Sequence, residues 1–356
     1  MEYGYPLLRK ITDFYVAQTT QASDLRLVSC QHILEPQLHM FRELVMFGFD
    51  PAKITVLGKA YSTNHEVLAE LRQLGVQVLQ PEFSGAPFDI EHAANCDYVL
   101  SQIPQQASCV VLDDGADLIQ AFLRAGRKPI FAVEQTSSGF RSLDRIRSDI
   151  TFPVFNVARS ATKLIQESPF IARLSFERLQ SYFSDAGMQH PSILIVGLGP
   201  IGEALREVLV ENNYTVEGFD TKLGHSDLME TIRKLDPDVI CGATGFPIFS
   251  AAELETMQNT KPLVLVSVSS SDREFPVAGY RPQGGVVHED IEYRNITFLN
   301  NGFPITFVGN RYECTPMEME KTICLLAGAV MHGVTATQIP LGIIDIPESI
   351  EKLVNS

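Results

Sequence analysis

The stretch that most restricts the fold of this 356-residue chain is Gly197-Leu198-Gly199-Pro200-Ile201-Gly202, which follows the apolar run SILIV and leads straight into EALREVLVENN. A strand, a glycine turn and a helix in that order form the phosphate-holding corner of a dinucleotide fold. Gly197 permits the tight turn, Gly199 lets a pyrophosphate approach the backbone, and Gly202 lets the helix pack on the strand. The helix start, with Pro200 and Ile201 in its first turn, offers unpaired N–H groups and positive dipole to phosphate. Asp220 ends the next run, TVEGFD, at the spacing of the carboxylate that binds the ribose 2′-hydroxyl. It would repel a 2′-phosphate, so NAD is the expected cofactor rather than NADP. Thr244 and Gly245 in CGATGFP, after a further strand, are expected beside the nicotinamide ribose. The bland alternative is a glycine-rich turn that joins strand to helix and binds nothing.

The rest of the chain repeats the same alternation. LRLVSC, KITVLG, VQVLQ, SCVVLD and PIFAV read as strands, separated by the helical EPQLHMFRELVMFG, HEVLAELRQLG and DLIQAFLRAG. A second series begins at SILIVG and continues through TVEGFD, DVICGA and PLVLVS. Buried strands alternating with helices specify an α/β chain with two doubly wound parallel-sheet domains, the second a Rossmann NAD-binding domain. The expected division is residues 1–165 for a substrate and catalytic domain, completed by 336–356, and 166–335 for the NAD domain. GGVVHEDIEYRNITFLNNG reads as an antiparallel hairpin, and MEMEKTICLLAGAVMHGV as a helix of the second domain.

Charge and cysteine usage narrow the partners. With 28 Lys and Arg against 43 Asp and Glu, the net charge of −15 argues against nucleic acid. No apolar run approaches the roughly 20 residues of a membrane span, and MEYGYPLLRKITDFY lacks the order of a secretion signal, so no membrane partner and a cytoplasmic location are expected. The six cysteines are scattered, without a CxxC pair. Neither a structural metal nor a disulfide is expected.

Four polar clusters stand at strand ends in the first half: His32 after LVSC, the run Leu112-Asp113-Asp114-Gly115-Ala116-Asp117, the run Glu134-Gln135-Thr136-Ser137-Ser138-Gly139, and Asn156-Val157-Ala158-Arg159-Ser160-Ala161-Thr162-Lys163. In this order, ahead of a GxGxxG unit, they resemble the S-adenosylhomocysteine hydrolase family, with its LDDGGDL, SEETTTG and NVNDSVTK. The resemblance implies an NAD-dependent enzyme acting on a nucleoside-like thioether through a transient 3′-keto sugar. It places Lys163 near the 3′-hydroxyl and makes Asp114 and His32 acid–base residues. Glu167, four positions after Lys163, joins them as catalytic. Gln135 with His32, Asp114, Lys163 and Glu167 would hold the substrate, while Thr136, Ser137, Ser138 and Asn301 would help to hold the cofactor. A homodimer or homotetramer is implied as well.

The departures are specific. Gln135 stands where the family has a second glutamate, and Glu167 is longer by a methylene than the family's carboxylate. Ile33-Leu34-Glu35-Pro36 replaces the residues that recognise adenine. Two histidines of the family's second domain are absent, from Val266-Ser267-Val268-Ser269-Ser270-Ser271-Asp272 and from Asn301-Gly302-Phe303-Pro304-Ile305, and the family's carboxyl-terminal Lys and Tyr are missing too. Two other readings stay open: an NAD-dependent dehydrogenase or epimerase on a related nucleoside or sugar, and a catalytically inactive NAD- or nucleoside-binding regulator. Each catalytic residue also has a plainer use. Asp113 and Asp114 could cap the helix beginning near Asp117, and a lysine on a helix is usually solvated.

Overall fold

A computed structural model describes residues 4–17, 22–257, 261–269, 271–282 and 286–356. The chain packs as two units, one of residues 1–82, 91–167 and 309–356, the other of residues 83–90 and 168–308. The strands are β1 (Arg26–Ile33), β2 (Ile54–Thr63), β3 (Gln77–Leu79), β4 (Cys109–Asp113), β5 (Phe131–Glu134), β6 (Pro153–Asn156), β7 (Ser192–Val196), β8 (Thr215–Phe219), β9 (Val239–Gly242), β10 (Leu263–Ser267), β11 (Ile291–Tyr293), β12 (Ile296–Phe298) and β13 (Gly342–Asp345). The helices are α1 (Pro6–Val16), α2 (Glu35–Phe47), α3 (His65–Gln73), α4 (Phe88–Ser101), α5 (Asp117–Arg124), α6 (Ser137–Arg145), α7 (Ala161–Asp185), α8 (Pro200–Glu211), α9 (Leu228–Leu235), α10 (Ala251–Thr256), α11 (Pro316–Thr335) and α12 (Glu348–Val354).

In the first unit the strand order is β3-β2-β1-β4-β5-β6-β13, with every pair parallel. In the second it is β8-β7-β9-β10-β12-β11, parallel except for the β11–β12 pair. Both are Rossmann-like doubly wound sheets. Their central strands show why: Cys109–Asp113, Val239–Gly242 and Leu263–Ser267 are buried at every position, as strands covered by helices on both faces must be. Winding reverses between β1 and β4 in the first sheet and between β7 and β9 in the second. Such switch points open a crevice at the carboxyl ends of the strands, where ligands of α/β sheets bind.

The unit boundaries differ from those read in the sequence, 165 and 335. Chain passes to the second unit after Glu167, inside α7, and returns at Gly309, so α11 packs in the first unit rather than the second. The reason lies in its composition. Ile323 to Val330 are buried without interruption, and a helix apolar on all faces must sit inside a core. That core is shared with α1, α2 and β5. Gly333 permits the closest approach, since a Cβ there would lie 2.4 Å from the Phe131 ring.

The expected hairpin is the β11–β12 pair, with Ile291 opposite Phe298. Gly284 and Gly285 at its start, like Ser270 in the serine run and Met1 to Tyr3, lie outside the described residues. Among the described residues no helix is long and apolar enough to cross a membrane, and no group of three or more His, Cys, Asp or Glu could hold a metal ion. The six cysteines are free thiols.

Candidate functional site

At the switch point of the first sheet, β1 and β2 fall out of step. Gln31 pairs with Gly58 but Ile33 pairs with Thr63, so β2 carries extra residues in a bulge that begins at Lys59. The bulge turns Lys59 inward, where Nζ meets Oδ1 of Asp114 at 2.5 Å. Oδ2 of Asp114 accepts from the Gln135 amide and lies 3.4 Å from His32 Nε2. Gln31 Nε2 in turn donates to Gln135 Oε1 at 3.0 Å. Lys59 and Asp114 are each 3 % exposed and His32 15 %, so His32 is the member of this set that reaches solvent.

Burial opposes the charged form of Asp114, but Lys59 first and His32 second outweigh it and hold the carboxyl well below the usual range. Burial likewise works against the Lys59 ammonium, and Asp114 overcomes it and raises the lysine above its ordinary value. The pair is therefore fully ionised, and Asp114 is a fixed negative charge rather than a proton acceptor. Lys59 escaped the sequence reading. Its signal was a lysine inside the strand-like KITVLGKAYS, immediately after a glycine.

Neighbouring residues divide the remaining tasks. Asp113 Oδ2 accepts from Ile119 N at 2.8 Å in the first turn of α5, and its Oδ1 from Asp114 N at 2.9 Å. Of the two aspartates weighed as helix caps, Asp113 holds the helix and Asp114 does not. Thr136, expected at the cofactor, caps a helix. Its hydroxyl accepts from Gly139 N at 2.9 Å as the cap of α6 and donates to Glu134 Oε1 at 2.7 Å. Ser138 donates to the same hydroxyl oxygen at 3.3 Å, and Ser137 is exposed. Loss of this cap in Thr136→Ala should cost about 1 kcal/mol of stability, read from urea unfolding.

Lys163 is neither solvated nor joined to Asp114. Its ammonium pairs with Glu167 at 2.8 Å one turn along α7, and Glu167 also accepts from the Thr322 hydroxyl at 3.2 Å. The structure thus brings His32, Asp114 and Gln135 together with Lys59, and joins Lys163 to Glu167 in a separate pair.

The glycine corner of the second unit has the geometry its sequence requires. Gly197 has φ +98°, open to glycine at little cost. A Cβ on Gly202 would lie 1.9 Å from the Gly197 carbonyl oxygen, whereas a Cβ on Gly199 would meet nothing within 4 Å. Beside Gly199 there is thus open space for a phosphate, and α8 starts there at Pro200, followed by Ile201, with no side chain capping it. Asp220 ends β8 with Oδ2 accepting from Leu198 N at 2.9 Å and Oδ1 from Lys222 N at 2.8 Å. Slight burial opposes its charge, but the N–H groups of Lys222 and Leu198 outweigh it and hold the carboxyl below its ordinary value. Each oxygen keeps a lone pair for a hydroxyl donor. These residues fit a dinucleotide.

Thr244, Gly245 and Asn301 each make hydrogen bonds within the second unit. The N–H groups of Thr244 and Gly245 donate to Glu274 Oε1 at 2.6 and 3.0 Å, and the Ser267 hydroxyl holds Oε2 at 2.7 Å. Glu274, fully buried, thereby occupies N–H groups of the turn expected beside the nicotinamide ribose. Asn301 is likewise buried, with Oδ1 accepting from Arg281 Nε at 2.6 Å and Nδ2 donating to the Val286 carbonyl at 3.0 Å. A buried amide must be satisfied where it lies, and this one is held by Arg281, itself paired with Asp272 at 2.7 Å.

No family model matches the chain. Two uncharacterized proteins of Mycobacterium tuberculosis, from strains CDC 1551 / Oshkosh and ATCC 25618 / H37Rv, are each 33% identical to it over 334 residues. That match covers 87% of this chain and 64% of each relative, so the chain spans less than two thirds of their length. Among solved structures it is similar to an NAD-dependent formate dehydrogenase from Staphylococcus aureus in complex with NAD, at 13% identity and TM-score 0.39 over 68% of this chain and 73% of that one. It is also similar to a glyoxylate/hydroxypyruvate reductase from Sinorhizobium meliloti in complex with NADP and malonate, at 11% identity and TM-score 0.41 over 89% and 96%. A 2-hydroxyacid dehydrogenase from Ketogulonicigenium vulgare gives 9% identity and TM-score 0.42 over 92% and 99%. These neighbours are dehydrogenases of the 2-hydroxyacid type, not adenosylhomocysteinases, and the expected membership of the S-adenosylhomocysteine hydrolase family is corrected accordingly. The thioether hydrolysis and the nucleoside substrate inferred from it fall with it.

Proposed function

We propose that the chain is an NAD-dependent oxidoreductase, holding NAD at the glycine corner of the second unit and a small hydroxyl- or carbonyl-bearing substrate at the His32–Asp114–Gln135 cluster of the first. The observation that carries this reading is the corner itself: a positive-φ Gly197, an open Gly199, a helix start free of side-chain caps and a charged Asp220 at the end of the next strand. Bound there, NAD would supply the hydride acceptor. The protein's own part is proton transfer and charge balance. Oxidation of an alcohol releases a proton together with the hydride, and His32 is the residue of the cluster placed to take it. The carboxylate of Asp114 lies 3.4 Å from Nε2, opposite in sign to the charge that the ring then carries. Lys59 keeps Asp114 ionised, and Gln135 holds the carboxylate in place.

Calorimetric titration tests the cofactor half. NAD should bind at least about tenfold more tightly than NADP, and Asp220→Ala should close most of that gap, because the carboxylate both accepts from the ribose and repels a 2′-phosphate. Absence of NAD binding to the intact chain sinks the proposal. A second reading, an NAD-binding protein without turnover, is favoured by Glu274, which occupies the Thr244 and Gly245 donors. It predicts NAD binding with no reduction of the cofactor by any small alcohol.

A further inference from the structure

Glu134 closes β5 and is completely buried. Its Oε1 accepts from Gly115 N at 3.2 Å, in the loop after β4, and from the N–H and hydroxyl of Thr136, both at 2.7 Å, in the loop after β5. Those loops carry Asp114 and Gln135, so a single carboxyl oxygen ties together the segments on either side of the cluster. Helix α6 seats directly on that oxygen, since a Cβ on Gly139 would lie 2.3 Å from it.

The other oxygen, Oε2, is buried without a hydrogen-bond partner among the described residues, and so is Oδ1 of Asn156, its register partner on β6. A buried carboxylate oxygen with no donor is costly. A carboxylic acid removes the difficulty, because Oε2–H becomes a donor next to a strand that offers an acceptor. Asp113 differs in its hydrogen bonds: each of its oxygens accepts a backbone N–H, which favours the charged form and offsets part of the burial that pushes this carboxyl up to about 7. Burial, and after it the Asp113 charge, push the Glu134 carboxyl well above its ordinary range.

We propose that Glu134 is kept as a neutral acid at neutral pH and in that form is the positioning residue that sets the spacing of Asp114 and Gln135. This rests on the reading of the His32–Asp114–Gln135 cluster as the substrate site. The charged groups around the Asp113–Glu134 pair are Asp114 after β4, Asp117 on α5 and Lys59 on β2, with the Thr136 hydroxyl from the α6 cap. Lys59 is already matched to Asp114, so an ionised Glu134 would add an uncompensated negative charge beside Asp113. A carboxyl raised in the folded state contributes stability below the ordinary carboxylate range, and that contribution is lost as pH rises through the folded value. The two loops should therefore loosen on the alkaline side.

The test compares wild type with Glu134→Gln, which keeps an acceptor at one position and supplies a donor at the other. Amide exchange at Gly115 and Thr136, corrected for base catalysis, should accelerate about tenfold or more in the wild type between about pH 6 and about pH 9, and stay level in the variant. The Gln135 side-chain amide resonances, followed by NMR, should show an inflection over the same range in the wild type and none in the variant. Level exchange in the wild type overturns the proposal. So does a Gln variant that fails to fold, or that already exchanges about tenfold faster near pH 6, because Gln reproduces the hydrogen bonding of the neutral acid. None of these measurements uses NAD, so a failure of the oxidoreductase reading and a failure of this one are seen separately.

Discussion

Lys59→Met is expected to lower the unfolding free energy by about 3–5 kcal/mol, because it leaves the Asp114 charge buried and without its cation. Methionine fills much of the lysine stem's volume, so the loss reports the charge rather than a cavity. Two features separate this from ordinary core damage. The first is recovery: Asp114→Asn in the Lys59→Met background removes the stranded charge, and should restore a large part of the loss. The second is the pH dependence. In the wild type the lowered Asp114 carboxyl contributes stability that is complete above about pH 4 and lost as pH falls toward its folded value. Without Lys59, burial raises the carboxyl instead, and stability is then lost as pH rises. The gap between wild type and variant should therefore widen from acid toward neutral pH, measured by urea unfolding followed by circular dichroism. A loss under about 1 kcal/mol at neutral pH would show that the pair is exposed enough for water to replace the lysine.

Gly199→Val should abolish useful NAD binding while leaving the fold intact. Gly199 has φ −77° and ψ −174°, extended backbone that valine adopts readily, and nothing lies within 4 Å of the position its Cβ would take. The added side chain enters the space a pyrophosphate needs. An affinity loss of at least about 100-fold is expected, about 2.7 kcal/mol, with the Tm moving by no more than about 2 °C. Gly202→Ala is the control. Its Cβ would meet the Gly197 carbonyl oxygen at 1.9 Å, so the turn itself must shift, and both Tm and NAD affinity should fall. Unchanged NAD affinity in Gly199→Val would show that phosphates bind elsewhere.

Much of the frame was legible in the residues. The strand runs read in the sequence appear as β1 to β5 and β7 to β10, and the central ones, β4, β9 and β10, are apolar and buried throughout, as suits a sheet covered on both faces. The glycine corner was legible because its three glycines answer local backbone demands, each visible within a strand, a turn and a helix. Asp220 followed from its distance along the chain. The clusters at the strand ends were also located correctly as segments, since the carboxyl ends of parallel strands converge wherever the winding reverses.

Roles within those segments were harder. Lys59 was missed, because a bulge is a mismatch between two strands and takes effect only once both are paired. Thr136 and Asn301 were polar and suggestively placed, but whether a hydroxyl or amide faces a ligand depends on which donors are already near it. Here Glu134 and Gly139 claim the first and Arg281 claims the second. Glu274 lies in a serine-rich stretch with no motif, yet takes the donors of the turn after β9. The adenosylhomocysteinase resemblance rested on such segments read in order, and order along the chain does not say which side chains are spent on the fold.

The sequence by itself determined that this protein would form two doubly wound α/β sheets with a strand–glycine turn–helix corner on the second, because strand burial and glycine turns are set by neighbours a few residues apart. Tertiary structure alone decided that α11 belongs to the first unit, that Asp114 is a fixed charge matched by Lys59, and that Asp113 rather than Asp114 accepts from the first turn of α5. The first two outcomes depend on partners distant in sequence and the third on which side chain the turn aims at the helix, and the energy of a buried polar group is settled by whichever partner the fold brings within hydrogen-bond reach.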